Sequence, residues 1–143
     1  MLLRDVMTTR IEDISADATL MQVAEKMKQL DVGAVPVSED NYVVGIITDR
    51  DIAVRVVADG RDPRNVSVRE AMSGNLYYCY EDESVETAAK LMKEKQIRRL
   101  PILDRNDRAV GSVSLCDLAI RNHDDRLSGE VLGQVSQPSH LHA

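Results

Sequence analysis

The chain contains no tryptophan and no phenylalanine, and its aromatic complement is four tyrosines. Platforms on which single-stranded bases stack are therefore not expected. Basic charge is also short: 18 Lys and Arg stand against 24 Asp and Glu, a formal charge of -6. No stretch combines clustered Lys/Arg with aromatics, so no nucleic-acid partner is expected. No apolar run reaches membrane-spanning length, and the start Met1-Leu2-Leu3-Arg4-Asp5 is charged too early for a signal peptide. The expectation is a cytoplasmic protein with no membrane partner. Cys79 and Cys116 lack metal-ligand spacing and read as buried, reduced thiols. His123, His140 and His142 include a His-x-His near the end but no third ligand, which makes a poor metal site. Ser/His/Asp ordering, an evident Cys/His pair and a Walker-type phosphate loop are all missing, so the chain is not expected to be an enzyme.

What the sequence does contain is a repeat. Arg4, Met7, Asp17, Ala24, Met27 and Pro36 recur as Arg69, Met72, Asp82, Ala89, Met92 and Pro101. One inserted loop residue later, Val44-Gly45, Asp51 and Ala53 recur as Val110-Gly111, Asp117 and Ala119. Each unit is too small to bury an adequate core alone, so two copies are expected to pack together. The boundaries read as 1–62 for the first repeat, 66–126 for the second, and 127–143 for a short helix (127–135) and a disordered tail. Arg61-Asp62-Pro63-Arg64-Asn65 is the natural linker.

Both repeats read as helix, strand, strand, helix. Leu20, Val23, Ala24, Met27 and Leu30 form an apolar stripe at helical spacing. Thr19 with Gln22 gives that helix a capping box. Val35-Pro36-Val37 and Val43 to Ile47 are strand-like runs around the turn Ser38-Glu39-Asp40-Asn41. A second helix follows over 49–58, closed by Asp59-Gly60. In the second copy Ser84 can cap a helix carrying Val85, Ala88, Ala89 and Met92, strands cover 100–103 and 109–113, and a helix follows over 117–122. Tyr77, Tyr78 and Tyr80 read as strand residues with packing roles.

Three elements recur in order in both copies. The first is Arg-Asp/Glu-x-Met: Arg4-Asp5-Val6-Met7 and Arg69-Glu70-Ala71-Met72. The second is a proline strand: Val32-Gly33-Ala34-Val35-Pro36-Val37 and Ile97-Arg98-Arg99-Leu100-Pro101-Ile102. The third is Gly-x-x-Thr/Ser-x-x-Asp: Gly45-Ile46-Ile47-Thr48-Asp49-Arg50-Asp51 and Gly111-Ser112-Val113-Ser114-Leu115-Cys116-Asp117. Together they closely resemble a tandem pair of CBS domains, the regulatory Bateman module, over nearly the whole chain. The resemblance implies an α/β fold, β-α-β-β-α duplicated into one pseudo-twofold module, free-standing here because no catalytic or transport domain accompanies it. It also implies adenosyl ligands (AMP, ADP, ATP or S-adenosylmethionine, sometimes NAD or a cyclic dinucleotide) in two clefts between the repeats. Pairing into a homodimer and signalling to an unknown regulated protein follow from the same likeness. No cofactor is implied beyond such a ligand. The competing expectation is a ligand-free assembly protein that keeps the fold.

The residue chemistry fits a nucleotide. Asp51 or Asp117 can accept hydrogen bonds from both ribose hydroxyls. Thr48 and Ser114 stand where a strand becomes a helix, a position that favours phosphate. Gly45 and Gly111 let a strand pass close to a ligand or to another backbone. The strands holding Pro36 and Pro101 can line an adenine slot. Each Thr/Ser-x-x-Asp also fits a loose capping box, and the two roles are compatible. On the family arrangement Thr48, Arg50 and Asp51 share a cleft with Ile97, Arg98 and Arg99, and Ser114 and Asp117 share one with Val32, Gly33 and Ala34. The Asp51 cleft is then the one expected to prefer phosphate-rich ligands.

Overall fold

A computed structural model describes residues 1–9, 11–121 and 125–138. The histidines at 123, 140 and 142 and the tail from 139 lie outside the described residues. Two compact units are present, and both cross the repeat boundaries. One is built from Met1–Ile11, Tyr77–Asn106 and Val110–Ala143; the other from Glu12–Leu76 with Asp107–Ala109. No helix among the described residues is long and apolar enough to cross a membrane.

The Glu12–Leu76 unit holds β1 (Ile14–Ser15), α2 (Leu20–Leu30), β2 (Ala34–Glu39), β3 (Tyr42–Thr48), α3 (Asp49–Ile52) and α4 (Val68–Ala71). The helix α1 (Leu3–Val6) belongs to the other unit. The sheet order is β1-β2-β3, with β1 parallel and β3 antiparallel to β2. Thr19 caps α2 as expected: its Oγ1 accepts from the Gln22 N–H at 3.2 Å, and Gln22 returns the bond at 2.9 Å. Asp31 ends the helix in the left-handed region at φ 55°. Asp40 and Asn41 (φ 52° and 68°) turn the β2–β3 hairpin, the backbone a two-residue loop of this kind requires. The helix expected over 49–58 is not uniform. After α3 it widens into a π-helical turn, Ala53–Val57, in which the Ala58 N–H reaches the Ala53 carbonyl at 2.9 Å. Gly60, at φ 68°, closes it. Leu20, Val23, Val35, Val37, Ile47 and Val56 form the core with Val68 and Ala71 from α4.

The second unit holds α1, β4 (Cys79–Tyr80), α5 (Val85–Lys95), β5 (Arg99–Leu103), β6 (Ala109–Ser114), α6 (Leu115–Arg121) and α7 (Asp125–Val135), with sheet order β4-β5-β6. Ser84 caps α5 through the Thr87 N–H at 3.2 Å. α6 starts two residues before the expected 117, directly after Ser114. Only Tyr80 of the three tyrosines is in a strand; Tyr78 meets it edge-on at 5.4 Å, and Lys95 lies 5.1 Å from the Tyr77 ring. Leu3 and Val6 are buried with Met92, Leu100, Ile102 and Leu118. Each such aliphatic side chain contributes roughly 1.5–3 kcal/mol. Both units thus run β-α-β-β-α and complete their cores with a short helix that opens the other repeat.

The two cysteines differ. Cys79 is buried in the core, and burial pushes its thiol up to about 12, with Glu83 adding to the effect. Cys116 is exposed, contrary to the expected burial, because it points outward from the first turn of α6. Iodoacetamide at pH 8 should therefore alkylate Cys116 and spare Cys79 in the folded chain. Modification of both at equal rates, read by peptide mass spectrometry, would contradict that burial.

Candidate functional site

In each unit the Gly-x-x-Thr/Ser-x-x-Asp element forms a strand end and the first helical turn. Strand β3 ends at Thr48, whose Oγ1 accepts from the Asp51 N–H at 3.1 Å while Asp51 Oδ2 accepts from the Thr48 N–H at 3.0 Å. The other unit repeats this with Ser114 and Asp117, at 3.1 and 2.8 Å. The reciprocal cap read from the sequence is therefore present twice. It occupies only one oxygen of each carboxylate. Oδ1 of Asp51 lies 3.9 Å from Arg55 Nε, and Oδ1 of Asp117 lies 4.0 Å from Arg121 Nε, both beyond hydrogen-bond length. Each carboxylate keeps lone pairs for further donors.

The start of the proline strand lies beside this turn within the same unit. Ala34 pairs with Thr48, and the Asp49 N–H donates to the Gly33 carbonyl at 3.0 Å. In the second unit the Leu115 N–H donates to the Arg98 carbonyl at 2.9 Å. These bonds join Val32, Gly33 and Ala34 to the Thr48–Asp51 turn and Ile97, Arg98 and Arg99 to the Ser114–Asp117 turn. These adjacencies lie within a unit, whereas the clefts implied by the family resemblance draw on both repeats. Pro36 and Pro101 are buried inside β2 and β5.

The two turns differ in charge. Beside Gly33 stands Asp49, whose Oδ2 is only 3.0 Å from where a Cβ would be, and Arg50 is exposed. Beside Arg98 and Arg99, both exposed, the place of Asp49 is taken by Leu115 and that of Arg50 by Cys116. Among the described residues no hydrogen bond or ion pair holds the guanidiniums of Arg50, Arg98 or Arg99. Arg69, Arg61 and Arg105, by contrast, are tied up: Arg69 grips Glu39 at 2.8 Å and Asp17 at 3.0 Å, Arg61 grips Glu70 at 2.8 Å, and Arg105 grips Asp82 at 2.8 Å. The Arg69 guanidinium also holds the Glu39 carboxyl below its usual range.

The glycines serve the backbone. A Cβ on Gly45 would lie 2.6 Å from the Ser73 carbonyl oxygen, and one on Gly111 would lie 2.8 Å from that of Thr8. The Met72 and Met7 ends of the Arg-x-x-Met elements cross those strands there, through bridges Ile46–Ser73 and Thr8–Ser112. The duplicated Gly and Met thus meet at one place in each unit.

A chain with that construction is matched by the CBS domain model twice, over residues 3–58 and 68–123. The chain belongs to the CBS-domain family. CBS domain-containing protein YhcV of Bacillus subtilis is 43% identical over 133 residues, covering 93% of this chain and 94% of that protein. The crystal structure of Hypoxic Response Protein I with two coordinated zinc ions has a TM-score of 0.74 and 31% identity, covering 85% of this chain and 98% of that one. The CBS domain pair of MJ0100, in complex with 5′-methylthioadenosine and S-adenosyl-L-methionine, has a TM-score of 0.73 and 26% identity, covering 83% and 97%. Among the described residues of this chain no group of three His, Cys, Asp or Glu is placed to hold a metal.

Two CBS residues escaped the sequence reading. Arg55 and Arg121 follow the motif aspartates by four positions in both repeats, so the same offset that aligned Asp51 with Asp117 identifies them. A cavity of about 310 Å³ lined by Asp13, Asn41, Val43, Arg108 and Ala109 was equally unforeseen, and it includes none of the motif residues.

Proposed function

We infer that this CBS pair is a regulatory sensor that binds an adenosyl nucleotide at its Thr/Ser-x-x-Asp turns and signals to a protein partner by a change of conformation. The supporting observation is the half-used carboxylate. Asp51 and Asp117 each hold a cap with Oδ2 and leave Oδ1 to accept from a ribose diol. Thr48 with Gly33, Ala34, Arg50 and Asp51 makes one site; Ser114 with Ile97, Arg98, Arg99 and Asp117 makes the other. The bound adenosyl compounds of the MJ0100 pair support the ligand class. Signalling requires only that the ligand favour one of two arrangements.

Self-association is part of the same reading. Val54 and Val57 (49% and 65% exposed) leave an apolar face on the helix after Thr48, and Ile120, the repeat counterpart of Val54, is 69% exposed after Ser114. A second copy of the chain would cover them as a homodimer. The proposed location is the cytoplasm, and no catalytic step is assigned to the module.

A thermal-shift panel of AMP, ADP, ATP, S-adenosylmethionine, NAD and cyclic dinucleotides tests the reading. A true ligand at a hundred times its Kd should stabilise the fold by roughly 2.7 kcal/mol. Asp51→Ala should weaken that ligand at its site by about 1.5–3 kcal/mol, beyond a cap loss of about 0.5–2 kcal/mol in stability. A flat panel, or Ala variants that lose stability but keep full affinity, would instead favour the ligand-free assembly protein.

A further inference from the structure

Arg55 and Arg121 make the same contacts in the two units. Arg55 Nη1 donates to the carbonyls of Ala71 and Met72, both at 3.1 Å. Arg121 Nη1 donates to those of Val6 and Met7, at 3.1 and 3.0 Å. These are carbonyls at the ends of α4 and α1, where helical partners run out. The opposite edges of the same peptide planes are pinned as well. The Met72 N–H reaches the Val68 carbonyl at 2.9 Å and the Ser73 N–H reaches Ile46 at 3.0 Å. The Met7 and Thr8 N–H groups reach Leu3 and Ser112 at 2.9 and 2.8 Å. Each guanidinium meanwhile turns its Nε toward Oδ1 of Asp51 or Asp117. A rigid fork spreads five donors over three nitrogens and can face carboxylate and carbonyls along separate edges; an ammonium offers three donors from a single point. In one unit the π-helical turn lies under this residue, with Arg55 at its centre.

We propose that Arg55 and Arg121 are positioning residues that couple the motif carboxylates to the ends of the short helices: Asp51 to Met72 and Ser73, Asp117 to Met7 and Thr8. The proposal rests on the reading of Asp51 and Asp117 as ligand-facing groups. At 3.9–4.0 Å the ion pairs have slack, so each guanidinium is steered by its carboxylate without being fixed. A diol bound to Oδ1 immobilises the carboxylate, and the immobilised carboxylate holds the guanidinium on its two carbonyls. The segments so held continue along the chain into the other compact unit: Ser73 shortly precedes Tyr77, and Thr8 shortly precedes Glu12. Occupancy at one turn is thereby conveyed to the chain entering the other unit, with the arginine as the two-sided element.

Hydrogen exchange of the full chain, resolved at Met72 and Ser73, tests this without a ligand. Asp51→Asn should speed exchange of these amides roughly tenfold when Arg55 is present, and should add nothing in an Arg55→Gln background. Equal acceleration in both backgrounds overturns the coupling. Arg55→Lys should behave like Arg55→Gln; full rescue by lysine would also overturn it, since charge alone would then suffice. With S-adenosylmethionine or ATP, whichever raises the melting temperature, the wild type should gain protection at Met72 and Ser73, and Arg55→Gln should bind without that gain. If no adenosyl compound binds, the nucleotide reading fails while the ligand-free comparison still decides the coupling. Should Arg55→Gln not fold, Asp117→Asn with and without Arg121→Gln, read at Met7 and Thr8, gives the same decision.

Discussion

Replacing Arg98 and Arg99 together by alanine is expected to cost a phosphate-bearing adenosyl ligand about 3–6 kcal/mol, two hydrogen-bonding cations at about 1.5–3 kcal/mol each. Calorimetry should read this as a loss of two to four orders of magnitude in affinity at the Ser114–Asp117 turn. The expectation comes from the bond between the Leu115 N–H and the Arg98 carbonyl, which sets both arginines beside that turn. Both side chains are exposed and hold no acid among the described residues, so a phosphate displaces no existing partner. The Thr48–Asp51 turn offers Arg50 but adds the Asp49 carboxylate over Gly33, and it should suit a less anionic adenosyl group. Phosphate affinity at the arginine pair should fall as salt rises, whereas binding of S-adenosylmethionine should change little. An unchanged ATP affinity in the double variant would remove Arg98 and Arg99 from the site.

Much of this architecture was legible from the sequence because local signals agreed in both copies. Thr19 with Gln22, Ser84 and the Thr/Ser-x-x-Asp pairs are caps that depend only on neighbours three residues away, and all are formed. The proline strands and their helices follow from apolar spacing in the same way. What the sequence hid are the long-range choices. The short helices α1 and α4 look alike in sequence, and nothing local says that Leu3 and Val6 are buried with Leu100 while Val68 is buried with Val35. The π-helical turn escaped because Ala53–Val57 has an ordinary helical composition; its widening shows in main-chain hydrogen bonds such as that from Ala58 to Ala53. Arg55 and Arg121 went unnoticed for a related reason. Their partners are main-chain carbonyls distant in sequence, which leave no side-chain signature beyond the repeat itself.

Gly45→Val should be the most destabilising of the motif substitutions that leave the charged groups in place, at about 3 kcal/mol, the upper end of the usual range for overpacking. The Cβ alone would stand 2.6 Å from the Ser73 carbonyl oxygen and 3.2 Å from Met72 Sδ. The thioether can swing aside, but the carbonyl cannot, because it accepts from the Ile46 N–H at 3.3 Å while the Ser73 N–H donates back at 3.0 Å. Relieving the clash therefore means breaking the bridge that holds the end of α4 against β3, and with it the burial of Val68 and Ala71. Gly111→Val should come close behind, since its Cβ would stand 2.8 Å from the Thr8 carbonyl oxygen, which is held in the same way by the Ser112 N–H at 2.9 Å, and 2.7 Å from Met7 Sδ, which can swing aside. Thermal melts followed by circular dichroism should show a drop of roughly 10 °C for Gly45→Val. A Gly45→Val chain that melts like the wild type but loses adenosyl binding would mean that this glycine clears space for a ligand and not for the backbone.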